Sequence, residues 1–213
     1  MKCPICNHET QLFEVQNRKN RITFYSCTYC ECVFKSPIYH QDLITQKERY
    51  DLHQNNKDDC RYQAYFQNFL DFVLPYVDES KRAFDFGCGA TTLLADMLQN
   101  NGFEVDFFDP IYYPKRPKTD KCYDLVVTTE VFEHLHHPKD TFKELVGYLD
   151  DHGYLAIQTQ FHPNEKEKFN KWYYHLDPTH VVFFTIKTFV TLCSLYGCHI
   201  VADNGKNIVI IKK

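Results

Sequence analysis

The sequence predicts an α/β protein with a doubly wound, mostly parallel sheet that closes with an antiparallel C-terminal hairpin. From residue 82 onward, apolar runs of strand length alternate with helical segments, which is typical of a parallel sheet covered by helices on both faces. The last fifteen residues, HIVADNGKNIVIIKK, instead place two strands around an Asn-Gly turn. The 213 residues suffice for one such domain with a small appendage.

The composition is that of an ordinary globular protein, with 44% hydrophobic and 24% charged residues. No segment approaches the ~18 apolar residues of a membrane span, and the first ten residues, MKCPICNHET, lack the apolar core of a secretion signal. We therefore expect a cytoplasmic protein without a membrane partner. The net charge of −4 disfavours a broad nucleic-acid-binding surface.

Two CxxC pairs lie near the N-terminus, with twenty residues between them. Cys3 and Cys6 form CPIC, and Cys27 and Cys30 form CTYC. Each pair places two thiolates on one tight turn, and two such turns supply the four sulfurs of a closed, structural Zn²⁺ site. We therefore expect a small zinc ribbon over residues 1–40, with two strands on either side of the polar turn QNRKN.

Other interpretations of this segment stay open. Cys32 and His8 are alternative ligands, although four cysteines already satisfy one zinc ion and Cys32 is more simply a packed thiol. Four unrelated thiols are a further alternative. Residues 1–40 carry five lysines and arginines against three acids, a charge of +2 that hints at RNA or protein contact through the ribbon.

Residues 41–79 are expected to form a linker and a helical cover. The run CRYQAYFQNFLDFVLPYV spaces its aromatic residues at three- and four-residue steps, which predicts an amphipathic helix. Pro75 should end this helix.

The stretch AFDFGCGATTLLADML predicts a buried strand, a tight glycine turn and a helix. Gly87 and Gly89 allow the sharp turn and the close approach of a ligand to the backbone. Asp109 ends the next strand, where a carboxylate can accept both hydroxyls of a ribose. A nucleoside-containing ligand follows. A dinucleotide is disfavoured, because Thr92 replaces the third glycine and Asp85 would set negative charge beside a pyrophosphate.

The chain resembles the class I S-adenosylmethionine-dependent methyltransferases. The motifs FDFGCGATT, VDFFD, YDLVVTTEVFEHLHHP, DHGYLAIQT and the closing hairpin match the family's successive motifs in order, over residues 80–213. With CPIC and CTYC in front and WYYHLDPTHVVFFT behind, it further resembles bacterial methyltransferases with an N-terminal zinc ribbon. The resemblance implies a Rossmann-like methyltransferase fold over residues 80–213 and S-adenosylmethionine as cofactor.

The resemblance also implies which residues bind the cofactor. These are Asp85, Gly87 and Gly89 beside the methionine part, Asp109 at the ribose, and Thr129 with Glu130 on the sulfonium side. The sequence departs from the family after the second strand, because only thirteen residues separate Asp109 from Tyr123. The third strand is therefore expected to be missing, and Ile111 or Tyr112 is expected to pack on the adenine ring.

Methyl transfer from a sulfonium depends mainly on positioning, and a base helps only where the acceptor must lose a proton. His180, His134 and Glu130 are the candidate catalytic residues, and Asp177 and His53 are further candidate bases. Each histidine has the alternative of a hydrogen-bonded structural role. An acidic chain with an aromatic pocket suits a small-molecule acceptor.

The run KWYYHLDPTHVVFF could supply that pocket, through Trp172, Tyr173 and Tyr174, or it could serve packing alone. His136 and His137 are expected in solvent. Two other functions stay open: an NAD(P)-dependent oxidoreductase, and a non-catalytic zinc-ribbon module that binds RNA or protein.

Overall fold

The computed structural model describes residues 1–16, 21–51, 56–77, 81–118 and 122–213. The strands are β1 (Gln11–Gln16), β2 (Arg21–Ser26), β3 (Val33–Lys35), β4 (Arg82–Phe86), β5 (Glu104–Phe108), β6 (Tyr123–Thr129), β7 (Leu149–Gln158), β8 (Val182–Phe183), β9 (His199–Asp203) and β10 (Ile208–Lys212). The α-helices are α1 (Leu43–Asp51), α2 (Cys60–Val73), α3 (Leu93–Asn100), α4 (Pro138–Gly147), α5 (Lys166–Lys171) and α6 (Ile186–Tyr196).

The main sheet has six strands in the order β5-β4-β6-β7-β10-β9. The pairs β4–β5, β4–β6 and β6–β7 are parallel, whereas β10 is antiparallel to both of its neighbours. The predicted sheet with its antiparallel terminal hairpin is therefore confirmed. β5 forms one edge, and the described part of the segment between β5 and β6 contains no further strand, as the shortened sequence predicts.

Helices cover both faces of this sheet because alternate residues of each strand point to opposite sides. In β4, Ala83 belongs to a cluster with side chains of α2 and α3, while Phe84 belongs to a cluster with side chains of α4 and α6. The amphipathic helix predicted from the aromatic spacing is α2. Asp59 caps its first turn by accepting from the Arg61 amide, and a 3₁₀ turn that contains Pro75 follows its last residue.

A second, smaller sheet has the order β1-β2-β3-β8 and is antiparallel throughout. Its first three strands come from the cysteine-rich segment, and the turn QNRKN between β1 and β2 falls mostly at residues 17–20, outside the described residues. Its fourth strand comes from much later in the chain: Val33 pairs with Phe183, and Phe34 with Val182. The N-terminal segment is thus joined to the rest of the molecule by strand pairing. The domain boundaries at residues 40 and 80 stay predictions.

α1 and α2 connect the two sheets and lie over the carboxyl ends of the parallel strands, where both contribute to one large cavity. Among the described helices, none combines the length and the apolar composition that crossing a membrane requires.

Candidate active site

A cavity of about 1350 Å³ opens at the carboxyl ends of β4, β5 and β6. This is the edge at which open α/β sheets bind ligands. The volume exceeds the ~300–1,000 Å³ of a common small-molecule pocket, so there is room for two ligands side by side. Helices α1 and α2 form one wall, and residues 173–180 form part of another.

The glycine turn after β4 forms the floor of one half of the cavity. Gly87 and Gly89 have φ angles of 82° and 65°, in the left-handed region that favours glycine. A Cβ at Gly87 would lie 2.2 Å from Cγ2 of Val131, whereas a Cβ at Gly89 would meet no atom within 4 Å. Gly87 is therefore required for packing, and Gly89 leaves open space in front of the backbone.

Asp85 lies at the end of β4 below this turn. Its side chain is 1% exposed, and its Oδ2 atom has no hydrogen-bond partner among the described residues. Burial, together with the nearby charge of Asp109, raises the pKa of Asp85 to about 7. A buried, unpartnered carboxylate oxygen beside an open turn fits a ligand that brings a positive charge.

Asp109 follows β5 and braces the adjoining loops. Its Oδ1 atom accepts from the amides of Ile111 at 2.8 Å and Tyr112 at 3.0 Å, and its Oδ2 atom accepts from the Gly89 amide at 3.2 Å. Both oxygens keep further lone pairs that can receive ribose hydroxyls. The hydroxyl of Tyr112 donates to Asp51 of α1 at 2.7 Å, so this ring spans from the strand end to the helix.

Thr129 is the last residue of β6 and Glu130 follows it, and both line the cavity. Glu130 has a φ angle of 53°, a left-handed conformation that costs a non-glycine residue roughly 1 kcal/mol or more and is concentrated at functional sites. Its carboxylate accepts from the hydroxyl of Tyr65 on α2 at 2.6 Å and from that of Tyr174 at 2.7 Å.

A second glutamate, which the sequence interpretation did not single out, completes this network. Glu133 is fully buried and accepts from the Thr159 hydroxyl at 2.8 Å and from the Tyr174 hydroxyl at 2.5 Å. The hydroxyl of Tyr174 has one hydrogen and can donate it to only one of the two carboxylates at a time. The other contact therefore requires a further proton, which Glu130 and Glu133 share. Burial and the charge of Glu133 raise the pKa of Glu130 to about 8, and burial raises the pKa of Glu133. The sequence feature that could have pointed to Glu133 is its position three residues after Glu130, in the run EVFE.

His134 and His180 lie together beside this network, with ring centroids 4.7 Å apart. The Nδ1 atom of His180 lies 2.8 Å from the carbonyl oxygen of Tyr174, and that of His134 lies 3.1 Å from the carbonyl oxygen of Thr179. Burial, followed by the nearby His134, lowers the pKa of His180 to about 3. His180 is therefore neutral, with its proton on Nδ1 and a lone pair on Nε2.

The other candidates from the sequence divide between cavity and core. Tyr173 and Tyr174 line the cavity, whereas Trp172 packs against Phe169 and Phe183 beneath the small sheet. His137 is exposed, as expected. The expectation of a solvated His136 is wrong, since it is half-buried and its ring stacks on His40 at 4.2 Å.

His53 lies outside the described residues. The structure brings the remaining predicted site residues together around the one cavity: Asp85, Gly87, Gly89, Asp109, Ile111, Tyr112, Thr129, Glu130, His134 and His180.

The four predicted metal ligands converge at one end of the small sheet. The Sγ atoms of Cys3 and Cys30 are 3.5 Å apart, as are those of Cys6 and Cys27. These distances are far longer than the ~2.05 Å of a disulfide and close to the ~3.8 Å edge of a tetrahedron with Zn–S bonds of ~2.3 Å. The donor set therefore fits a structural zinc ion.

The two alternative ligands have other contacts. Cys32 is fully buried beside the Cys3 thiol but lies outside the four-cysteine group, and its interpretation as a packed thiol stays a prediction. The ring of His8 stacks on Tyr29, and its Nδ1 atom lies 3.2 Å from the carbonyl oxygen of Cys6.

The cysteine-rich segment is hydrogen-bonded to the cavity wall. Lys35 of β3 is 2% exposed, and its Nζ atom donates to the carbonyl oxygen of Asp177 at 2.7 Å. At the other end of the segment, Thr188 of α6 donates to the carbonyl oxygen of Cys30 at 2.9 Å. Strand β3 thereby fixes the loop that carries Asp177 and His180.

The strand order, the glycine turn and the acidic ends of β4 and β5 define the class of the protein: it has the class I S-adenosylmethionine-dependent methyltransferase fold. Residues 59–203 match the model of a family described as a methyltransferase domain, and the chain belongs to that family. Among curated proteins, no match to the sequence was found.

Two solved structures illustrate the similarity of fold. One is a SAM-dependent methyltransferase from Archaeoglobus fulgidus, with a TM-score of 0.56 and 15% identity over 81% of this chain and 100% of that one. The other is the 1,6-didemethyltoxoflavin-N1-methyltransferase of Burkholderia thailandensis with bound 1,6-didemethyltoxoflavin and S-adenosylhomocysteine, with a TM-score of 0.58 and 11% identity over 94% and 99% of the two chains.

Proposed function

We propose that the protein transfers a methyl group from S-adenosylmethionine to a small-molecule acceptor. The observation that carries the proposal is that one cavity joins the cradle of Asp85, Gly89 and Asp109 to the cluster of Glu130, His134 and His180. The first part, the cofactor half, is chemically complementary to a nucleoside and an ammonium group. The second part, the acceptor half, has groups that can bind an acceptor and take its proton.

In the cofactor half, each part of S-adenosylmethionine is assigned to one or two residues. The unpartnered oxygen of Asp85 receives the ammonium group, and the carboxylate of Asp109 receives the ribose hydroxyls. Ile111 and Tyr112 pack on the adenine, in the place of a third strand that the described residues between β5 and β6 do not form. When bound, S-adenosylmethionine supplies a methyl group on a positively charged sulfur that leaves as a neutral thioether.

The acceptor half orients the attacking atom. Tyr65, Tyr174 and Glu130 form a hydrogen-bonded wall at the end of β6, on the side where Thr129 and Glu130 face the sulfonium. Where the acceptor must lose a proton, the carboxylate of Glu130, whose pKa is raised to about 8, takes it. Because the chemistry is an in-line displacement, fixing the acceptor atom supplies most of the rate enhancement.

The acceptor is proposed to be a small molecule, since α1 and residues 173–180 form walls of the cavity. The methyltransferase from Burkholderia thailandensis that shares the fold holds such an acceptor, 1,6-didemethyltoxoflavin. We also propose that the four cysteines bind one structural Zn²⁺, which holds β3 against β8 and so supports the acceptor loop. The pairing of β3 with β8 favours this bracing role of the cysteine-rich segment over RNA or protein binding.

The experiment is a transfer assay with methyl-labelled S-adenosylmethionine and a fractionated small-molecule extract. We expect label in a low-molecular-mass product, together with an equal amount of S-adenosylhomocysteine. The matched control is Gly89→Ala, which should fold but fill the cradle and release no label. Reduction of NAD(P)⁺ by the wild-type protein, without any methyl transfer, would instead support the oxidoreductase alternative.

A further inference from the structure

We infer that Glu133, His134 and His180 bind one divalent transition-metal ion in the acceptor half of the cavity. One ligand atom from each side chain lies within 4.8 Å of the other two. Ligands on a common ion with bonds of ~2.1 Å lie ~3.0–3.4 Å apart, so the most widely separated ligand atoms need to approach each other by up to ~1.8 Å. This group is separate from the four cysteines, whose sulfurs form their own cluster.

The hydrogen bonds of the two imidazoles favour metal binding. Each Nδ1 atom faces a backbone carbonyl, at 3.1 Å for His134 and 2.8 Å for His180. Donation from Nδ1 fixes the tautomer whose lone pair is on Nε2, and metal-bound histidines are held in the same way. The Nε2 atom of His134 already lies 3.9 Å from Oε1 of Glu133.

The third ligand is also held by neighbours that orient it. Thr159 donates to one oxygen of Glu133, and Tyr174 donates to the other. Hydrogen bonds from outside the ligand set commonly fix a metal-binding carboxylate in this manner.

The charge balance of the cluster points to a cation. Glu130 and Glu133 are buried carboxylates linked through Tyr174, and within the part of the chain that the structure describes neither forms an ion pair with a lysine or arginine. Buried carboxylates are paired with cations or coordinate metals. A divalent ion would supply the missing positive charge in place of the proton that the two glutamates share.

Two imidazoles and one carboxylate suit Mn²⁺, Fe²⁺, Co²⁺ or Zn²⁺ and leave coordination positions open. His134 and His180 line the cavity, so the open positions face the acceptor. An oxygen of the acceptor can occupy one of them and be held toward the sulfonium side of Glu130. This last step rests on the proposed methyltransferase function, whereas the binding of the metal does not.

The test is a titration with Mn²⁺ of the full-length protein that elemental analysis shows to carry one Zn²⁺ per chain, so that only the four-cysteine site is filled. Binding is followed by the electron paramagnetic resonance signal of the free Mn²⁺. Mn²⁺ prefers oxygen and nitrogen ligands, so the four-cysteine site should not take it up. We expect one Mn²⁺ per chain. We expect His180→Gln and His134→Gln to weaken its affinity by at least about tenfold. His137→Gln, a change in the same loop at an exposed side chain, should bind Mn²⁺ as the wild type does.

Thermal melting and binding of S-adenosylhomocysteine are measured on the same samples. Unchanged cofactor binding in His180→Gln shows that the variant is folded and separates loss of the metal from failure of the proposed function. Wild-type protein that takes up no Mn²⁺ below about 1 mM overturns the inference, as does equal affinity in His180→Gln.

Discussion

At the scale of one residue, the proposed role of Asp85 in binding the cofactor comes with a cost to the stability of the folded protein. Its carboxyl is buried without a partner for Oδ2, and its pKa lies well above the ordinary value of 3.8. A carboxyl with a raised folded-state pKa favours the folded protein when protonated and disfavours it when ionised. The cost is absent below about pH 4 and fully present above about pH 7.

Replacing Asp85 tests both its effect on stability and its proposed contact with the cofactor. We expect Asp85→Asn to melt at a higher temperature than the wild type at pH 8, by the equivalent of about 1 kcal/mol or more, and to lose this advantage at pH 4. The same variant should bind S-adenosylmethionine at least about tenfold more weakly, because the ammonium loses its carboxylate. Equal melting temperatures at pH 8 would contradict the buried, unpaired carboxylate.

The pH dependence of cofactor binding gives a further check on Asp85. Below about pH 7 the carboxyl of the cofactor-free protein is protonated, so binding must release a proton. Wild-type affinity should therefore fall by up to about tenfold per pH unit below 7. Asp85→Asn should show no such slope in calorimetric titrations from pH 5 to 7.5.

The two glycines of the turn form a matched pair. Gly87→Ala places a Cβ 2.2 Å from Val131 in a left-handed conformation, and we expect it to cost about 3 kcal/mol or more of unfolding free energy. Gly89→Ala meets open space, so it should cost only about 1 kcal/mol from backbone strain while blocking the cofactor. Denaturant melts and cofactor titrations of both variants separate the two roles. Equal stability losses would refute the distinction.

Two substitutions of Tyr112 test its proposed contact with the adenine ring. We expect Tyr112→Ala to weaken S-adenosylhomocysteine binding by about tenfold, through loss of the ring, while Tyr112→Phe should stay within about twofold because it loses only the bond to Asp51. Calorimetric titration measures both. An unchanged affinity in Tyr112→Ala would remove this residue from the site.

At the residue scale, the sequence predicts the parts of the site that follow local pattern. Asp85, Gly87 and Asp109 sit at fixed places in a strand-turn-helix unit, so their neighbourhood can be inferred from spacing. The contact of Tyr65 with Glu130 and the burial of Glu133 depend on how α2 and residues 173–180 pack across the sheet. Such long-range packing leaves no periodic signal in the chain.

At the element scale, alternation of strands and helices was enough to predict the main sheet and its terminal hairpin. The shortened segment after β5 predicted a missing third strand, because thirteen residues cannot form a helix, a strand and a second helix, and the described residues of this segment contain none. The pairing of β3 with β8 could not be predicted. Residues 182–183 form a strand of two residues, which only its partner stabilises.

This pairing makes the proposed zinc ion a support for the acceptor loop. We expect Cys27→Ser to lower the zinc content and the melting temperature, because a ribbon this small depends on its metal. S-adenosylhomocysteine binding should stay within about threefold of wild type, since β4, β5 and α3 carry the cofactor half. Cys60→Ser, at an exposed cysteine outside the group, is the control and should change neither quantity.

Elemental analysis, thermal melting and cofactor titration check this prediction together. A Cys27→Ser protein with full zinc content would exclude this cysteine as a ligand. A variant that loses zinc and loses cofactor binding to the same degree as Gly89→Ala would show that the ribbon supports the whole cavity rather than the acceptor half.

At the scale of the whole molecule, one cavity at the carboxyl ends of the main sheet has two chemically distinct halves. The main sheet supplies the glycine turn and the acidic strand ends, while the small sheet, through Lys35 and Asp177, fixes the loop of His180. Under the proposed function, this division would let the acceptor side differ while the cofactor side is kept, in the way that one fold serves many functions.

The most direct test of this account is a calorimetric titration of the zinc-loaded protein with S-adenosylmethionine, with NAD⁺ and Gly89→Ala in parallel. The account predicts one site with micromolar affinity, loss of at least about tenfold in Gly89→Ala, and no heat from NAD⁺. Wild-type protein that binds NAD⁺ and leaves S-adenosylmethionine unbound would contradict it.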